Sequence, residues 1–153
     1  MIQVFKEKIN NLKLSLNESQ LNSIHFQSVN NFLKYFCSIK NEAIQQKIIT
    51  YLNGYFREIE EKQYDLVQSD SNEIYQKYIM QIGTLYNAEL DFKIYIRPKV
   101  ALFFGVHVDL LLLIFGLLKR VYYIPVITVL LTGYFLYIHV FYKARGKIYG
   151  SRI

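Results

Sequence analysis

Two apolar runs dominate the last third of this 153-residue chain. Residues 100–118 and 124–142 are each 19 residues long, are separated by KRVYY, and carry no formal charge except Asp109 in the first run. As α-helices they would extend about 28 Å at ~1.5 Å per residue, close to the thickness of a bilayer's hydrocarbon core. The sequence therefore predicts an all-α protein with a helical N-terminal region and a C-terminal two-helix transmembrane hairpin, its spans at about 100–118 and 124–142. A connection this short makes the two helices antiparallel neighbours.

Charge is partitioned to match. Residues 1–98 hold 11 Lys or Arg against 11 Asp or Glu, whereas residues 99–153 hold 7 against 1. The flanks of the hairpin on the side of the termini carry Lys93, Arg97, Lys99, Lys143, Arg145, Lys147 and Arg152, and its tip carries Lys119 and Arg120. By the excess of cations on the side of synthesis, both termini are expected in the cytoplasm, which makes the chain a multi-pass protein of a bacterial inner membrane or an organellar membrane. The bilayer is then its first partner. A pI near 9.3 would otherwise suggest nucleic acid, but cations placed beside apolar runs report topology, and no nucleic-acid partner is expected. Tyr95, Tyr122, Tyr123, Tyr142 and Tyr149 fall near the expected interfaces. The N-terminus MIQVFKEKINNLKLSL lacks a signal-peptide core and includes Glu7, so residues 1–98 are expected to stay where they are made.

An aspartate in the middle of an apolar run requires an explanation. Gly105, Asp109, Leu112 and Gly116 follow i, i+4, i+7 and i+11 and share a helix face. In the second run Thr128, Thr132, His139 and Tyr142 form a polar stripe interrupted by Phe135. Matching depths in an antiparallel hairpin pairs Asp109 with Thr132 and sets His139 nearer the cytoplasmic end. One reading makes Asp109 a protonated interhelical contact, its pKa raised by burial. The other has several hairpins enclosing a polar path in which Asp109 binds or passes a cation. His107 lies roughly 200° around the helix from Asp109 and addresses a different neighbour.

Residues 1–68 read as a helical bundle. Ile2, Phe5, Ile9, Leu12 and Leu16 mark a first amphipathic helix; Leu21, Ile24, Phe32, Phe36 and Ile39 a second over about 19–40; Ile44, Ile48, Tyr51, Tyr55 and Ile59 a third over about 42–66, weakened by Gly54. SDSN at 69–72, with Asp70 and Glu73 as a capping-box-like pair, opens a stalk-like helix over 69–98. Its seam of Tyr75, Tyr78, Ile82, Leu85, Glu89, Phe92 and Ile96 has the spacing of a short coiled coil. Residues 99–153 complete the chain as the hairpin and a basic cytosolic tail.

No phosphate loop, metal-binding pair or nucleophile elbow occurs, and Cys37 is the single cysteine. No catalytic, cofactor-binding or metal-binding residue is nominated, and the polar contact set is Asp109, Thr132, His139, His107 and Thr128. The expected role is a non-enzymatic two-pass adaptor or accessory subunit that engages a protein partner through its cytosolic helices. The alternative is a homo-oligomeric pore with Asp109 in its path.

Overall fold

The computed structural model describes residues 2–64, 66–96, 98–114 and 125–150. The described chain is helical apart from one two-residue strand pair, and it divides into two compact units, Met1–Ile94 with Gly146–Ile153, and Tyr95–Arg145. The second unit is thus an insertion in chain order. In the first unit β1 (Lys93–Ile94) and β2 (Ile148–Tyr149), which precede and follow that insertion, pair in parallel, Lys93 opposite Ile148 and Ile94 opposite Tyr149.

The first unit begins with α1 (Ile2–Ser15), whose three-and-four spacing buries Phe5, Ile9 and Leu12. Phe5 stacks on Phe56 of α4 (Glu42–Glu61), ring centroids 5.4 Å apart. Helix α4 starts where the Asn41 side chain accepts from the Ala43 and Ile44 amides, and it buries Ile48, Leu52, Tyr55, Phe56 and Ile59. It stops at Glu61 rather than continuing to 66. Gln63 and Tyr64 turn left-handed, and the Tyr64 amide donates back to the Ile59 carbonyl at 3.0 Å, satisfying an end-of-helix acceptor.

The single helix expected over 19–40 is two. Asn17 and Gln20 form a capping box that opens α2 (Glu18–Ser23), and His25, at φ 57°, breaks the chain before α3 (Phe26–Tyr35). The break is what allows Ile24, Phe32, Phe36 and Ile39 to be buried together. A short 3-10 turn, Phe36–Ser38, follows.

Helix α5 (Gln68–Ile74) begins two residues before Asp70, and Asp70 forms an ion pair with Lys62 at 2.8 Å instead of a cap. A π-helical turn, Tyr75–Ile79, leads directly into α6 (Met80–Leu90). This segment is no stalk. Ile74, Tyr78, Ile79, Ile82 and Tyr86 are buried in the same core as α1, α3 and α4. Asp91, at φ 58°, ends the helix, so Phe92 leaves the seam and inserts beside Tyr86 and Phe32, with centroids 4.9 and 5.8 Å away. Gly54 has a use here that helix propensity hides: a Cβ at that position would meet the Tyr78 ring at 2.7 Å, and Tyr78 donates its hydroxyl to Glu58 at 2.8 Å.

The C-terminal segment is likewise no solvated tail. Ile148 and Tyr149 are buried. Asn31 donates to the Ile148 carbonyl at 2.8 Å, and Ser28 exchanges hydrogen bonds with both the carbonyl and the amide of Gly150. Tyr149, expected as an interfacial anchor, packs 5.8 Å from Phe32 and over Gly83, where a Cβ would overlap its ring.

The second unit contains α7 (Pro98–Ile114) and α8 (Val126–Tyr137), the latter continued by a π-helical turn, Ile138–Tyr142. Among the described residues no helix is long and apolar enough to cross a membrane, which corrects the transmembrane hairpin and the multi-pass membrane localisation with its cytoplasmic termini. Within the described residues α7 has 17 residues and α8 with its π-helical continuation also has 17 (12 and 5), about 25 Å of helix each against a hydrocarbon core of ~30 Å. Positions 115–118 and 124 of the expected spans lie outside the described residues, as do Lys119, Arg120, Tyr122, Tyr123, Arg97 and Arg152.

Candidate functional site

Two of the polar residues expected in the apolar region, Asp109 and Thr128, meet at one place, the start of α8. Its first residue follows Pro125, which sits at the N-cap position and supplies no side-chain acceptor. The opening amides of a helix have no partner within it and attract negative charge. Asp109, reaching from the middle of α7, provides that charge. Its Oδ2 accepts from the Thr128 amide at 2.8 Å and from the Thr128 hydroxyl at 2.6 Å, while Oδ1 accepts from the Ile127 amide at 3.2 Å. A carboxylate on one helix therefore caps the next.

Close approach makes this possible. Ala101, Gly105 and Asp109, spaced every four residues, are the buried positions on an α7 that is otherwise largely exposed. A Cβ at Gly105 would lie 2.6 Å from the Thr128 Cα, so glycine is the residue that lets the backbones meet one turn before the carboxylate.

The partner of Asp109 is thus Thr128 and not Thr132, one turn further along. Equal-depth matching fails because α8 begins beside Asp109, so the carboxylate meets the end of a helix rather than its middle. The protonated state expected for Asp109 is also corrected. Burial alone would raise its pKa, but the Thr128 hydroxyl, the Thr128 amide and the Ile127 amide outweigh it and hold the carboxyl below its ordinary value. Three donors, the Thr128 hydroxyl and the Ile127 and Thr128 amides, engage both carboxylate oxygens of Asp109.

The remaining candidates do not join it. Thr132 Oγ1 and His139 Nδ1 are buried atoms without a hydrogen-bond partner. His139 lies within the π-helical turn with its ring 5.3 Å from Tyr95. His107 is exposed, and its Nδ1 lies 2.8 Å from the Phe103 carbonyl, which can only accept, so Nδ1 donates there. Gly116 lies outside the described residues.

Sequence reasoning missed the role of Pro125. A helix opening Ile-Pro-Val, with no Ser, Thr, Asp or Asn to cap it, signals that an acceptor must come from elsewhere. It also missed Ser28 and Asn31, the polar pair that anchors the returning C-terminal strand; no periodicity marks a contact across more than a hundred residues.

Asp109→Ala is expected to remove protection from exchange at the Ile127 and Thr128 amides while leaving the first unit unchanged, and Asp109→Asn, which keeps an acceptor but no charge, to have an intermediate effect. Because the folded pKa lies below the unfolded one, the cap's contribution is complete above the ordinary carboxylate pKa of about 3.9 and is lost as pH falls through the lower folded value. Amide exchange followed by NMR at pH 6 and below pH 4 checks both statements.

No protein-family model, curated protein or solved structure matches the chain.

Proposed function

We propose that the protein is a non-enzymatic adaptor or accessory subunit of a protein assembly, engaging its partner through the surface of Tyr95–Arg145. One observation carries the reading: outside the stripe facing α8, α7 exposes large apolar side chains on every other side. Phe103, Phe104 and Ile114 are 60%, 61% and 73% exposed, and Leu110 and Leu111 more than half. Contiguous apolar surface of this kind marks a site of interaction, whereas scattered exposed apolar residues do not. The first unit, by contrast, packs its largest aromatics inward, with Phe32, Tyr55 and Tyr86 each fully buried, and exposes Val4, Leu14 and Val67. The hydroxyls of Tyr55 and Tyr86 donate to the Ile24 and Phe32 carbonyls at 2.6 Å, and burial pushes both phenols up, so they remain protonated donors.

The test is site-specific photo-crosslinking of the full chain in its native cells, with the reactive side chain at Phe104 or Leu111. A discrete protein adduct is expected from both positions and none from a label at exposed Leu14. Adducts to lipid alone, or none, would overturn the reading.

A further inference from the structure

We infer that residues 146–150 form a strap that lifts from the core of the first unit and closes on it again by itself, while the helices beneath stay packed. Those helices are locked to one another by contacts in which the strap takes no part. Phe5 stacks on Phe56, the Tyr55 and Tyr86 hydroxyls donate to the Ile24 and Phe32 carbonyls, and the Ser71 hydroxyl donates to the Ser23 carbonyl at 2.7 Å. These contacts join α1 to α4, α4 to the end of α2, α6 to α3 and α5 to α2. Lifting the strap breaks none of them.

The strap is held in a different way. The Lys93 amide donates to the Lys147 carbonyl at 3.0 Å, the Lys147 ammonium donates to the Leu90 carbonyl at 3.0 Å, Asn31 donates to the Ile148 carbonyl, and Ser28 and Gly150 exchange two hydrogen bonds. Ser28 and Asn31 are 1% and 4% exposed with the strap in place. When it lifts, water reaches both side chains and takes over the bonds they made to its backbone, so opening leaves no buried donor or acceptor without a partner.

Local geometry suits such a movement. The chain comes into the strap from Arg145 through Gly146, which is left-handed at φ 67°; without a Cβ it passes between backbone conformations at little cost, as a hinge must. The ladder beyond it is short, two residues of β1 against two of β2. Ile148 and Tyr149 are the side chains the strap buries. Tyr149 sits on the bare backbone of Gly83 and beside Phe32, so opening uncovers that glycine and one side of the Phe32 ring.

Native-state hydrogen exchange of the full chain is the test, read at the Lys93 and Gly150 amides, which are bonded across the edge of the strap, and at Leu52, buried within α4. In the wild type Lys93 and Gly150 should be less protected than Leu52 by about tenfold or more, with a weaker dependence on low concentrations of urea, because lifting the strap exposes little surface. One common protection and one common urea dependence for all three amides would overturn the inference, since the strap would then open only with the whole unit. Gly83→Ala puts a methyl group where the Tyr149 ring sits, yet favours α6 as a helix. It should cost Lys93 and Gly150 a further tenfold or so in protection and leave Leu52 within about threefold of the wild type. An equal loss at all three amides would make the strap part of the common core, and unchanged protection at Lys93 and Gly150 would remove the seat on which it closes; either result overturns the inference.

Discussion

Phe32→Ala is expected to destabilise the first unit by about 3–5 kcal/mol, the cost of removing a fully packed aromatic, and to lower its Tm by roughly 10 °C or more. Phe32 is completely buried, and its ring lies 4.9 Å from Tyr86 and 5.8 Å from both Phe92 and Tyr149. These three come from α6, from the second residue after it and from β2, so one truncation opens a cavity beneath two chain segments at once. The consequence reaches the far end of the sequence. The Ile148–Gly150 segment depends on the same ring and on Ser28 and Asn31 beside it, and its amides should lose protection from exchange before those of α4 do. Urea denaturation followed by circular dichroism gives the first quantity and hydrogen exchange the second. Val4→Ala, at a half-exposed position of α1, should change stability by less than about 0.5 kcal/mol.

The second large effect is expected at Gly105. A methyl group there would come within 2.6 Å of the Thr128 Cα, and because the obstacle is backbone, no rotamer change relieves it. Gly105→Ala must push α8 away, at about 1–3 kcal/mol for overpacking, and Gly105→Val must push it further. Either displacement carries the Ile127 and Thr128 amides out of reach of Asp109, so the cap should fail although the carboxylate is intact. Gly133→Ala provides the contrast, since nothing lies within 4 Å of a Cβ at that position. That substitution should stabilise α8 by about 0.5–1 kcal/mol through helix propensity alone. Amide exchange across residues 126–137 distinguishes the two glycines, and equal effects would show that the close approach does not exist.

Local chemistry in the sequence was enough to place several parts of this protein. The spacing of Phe5, Ile9 and Leu12 identified α1 and its buried face, and Ile48, Tyr55 and Ile59 did the same for α4, because helical periodicity follows from backbone geometry that no distant residue can alter. The apolar runs were recognisable for the same reason, as was the shared helix face of Gly105 and Asp109. What those runs do could not be read from hydropathy, since a count of apolar residues does not report where α8 begins or what caps its opening amides.

Tertiary structure decided the rest wherever an outcome depended on residues far apart in the chain. His25 and Asp91 adopt left-handed backbone, a conformation costly for residues with a side chain, and they do so where stopping a helix lets Phe26 and Phe92 enter the core. The same composition with another core would have tolerated the longer helices. The choice of Thr128 over Thr132 followed from where α8 starts relative to Asp109, and the burial of Tyr149 followed from the bare backbone of Gly83, sixty-six positions earlier. Periodicity is a property of neighbours along the chain and is legible from them; a cap supplied by another helix, or a ring seated on a distant glycine, is set by the free energy of the whole packed arrangement.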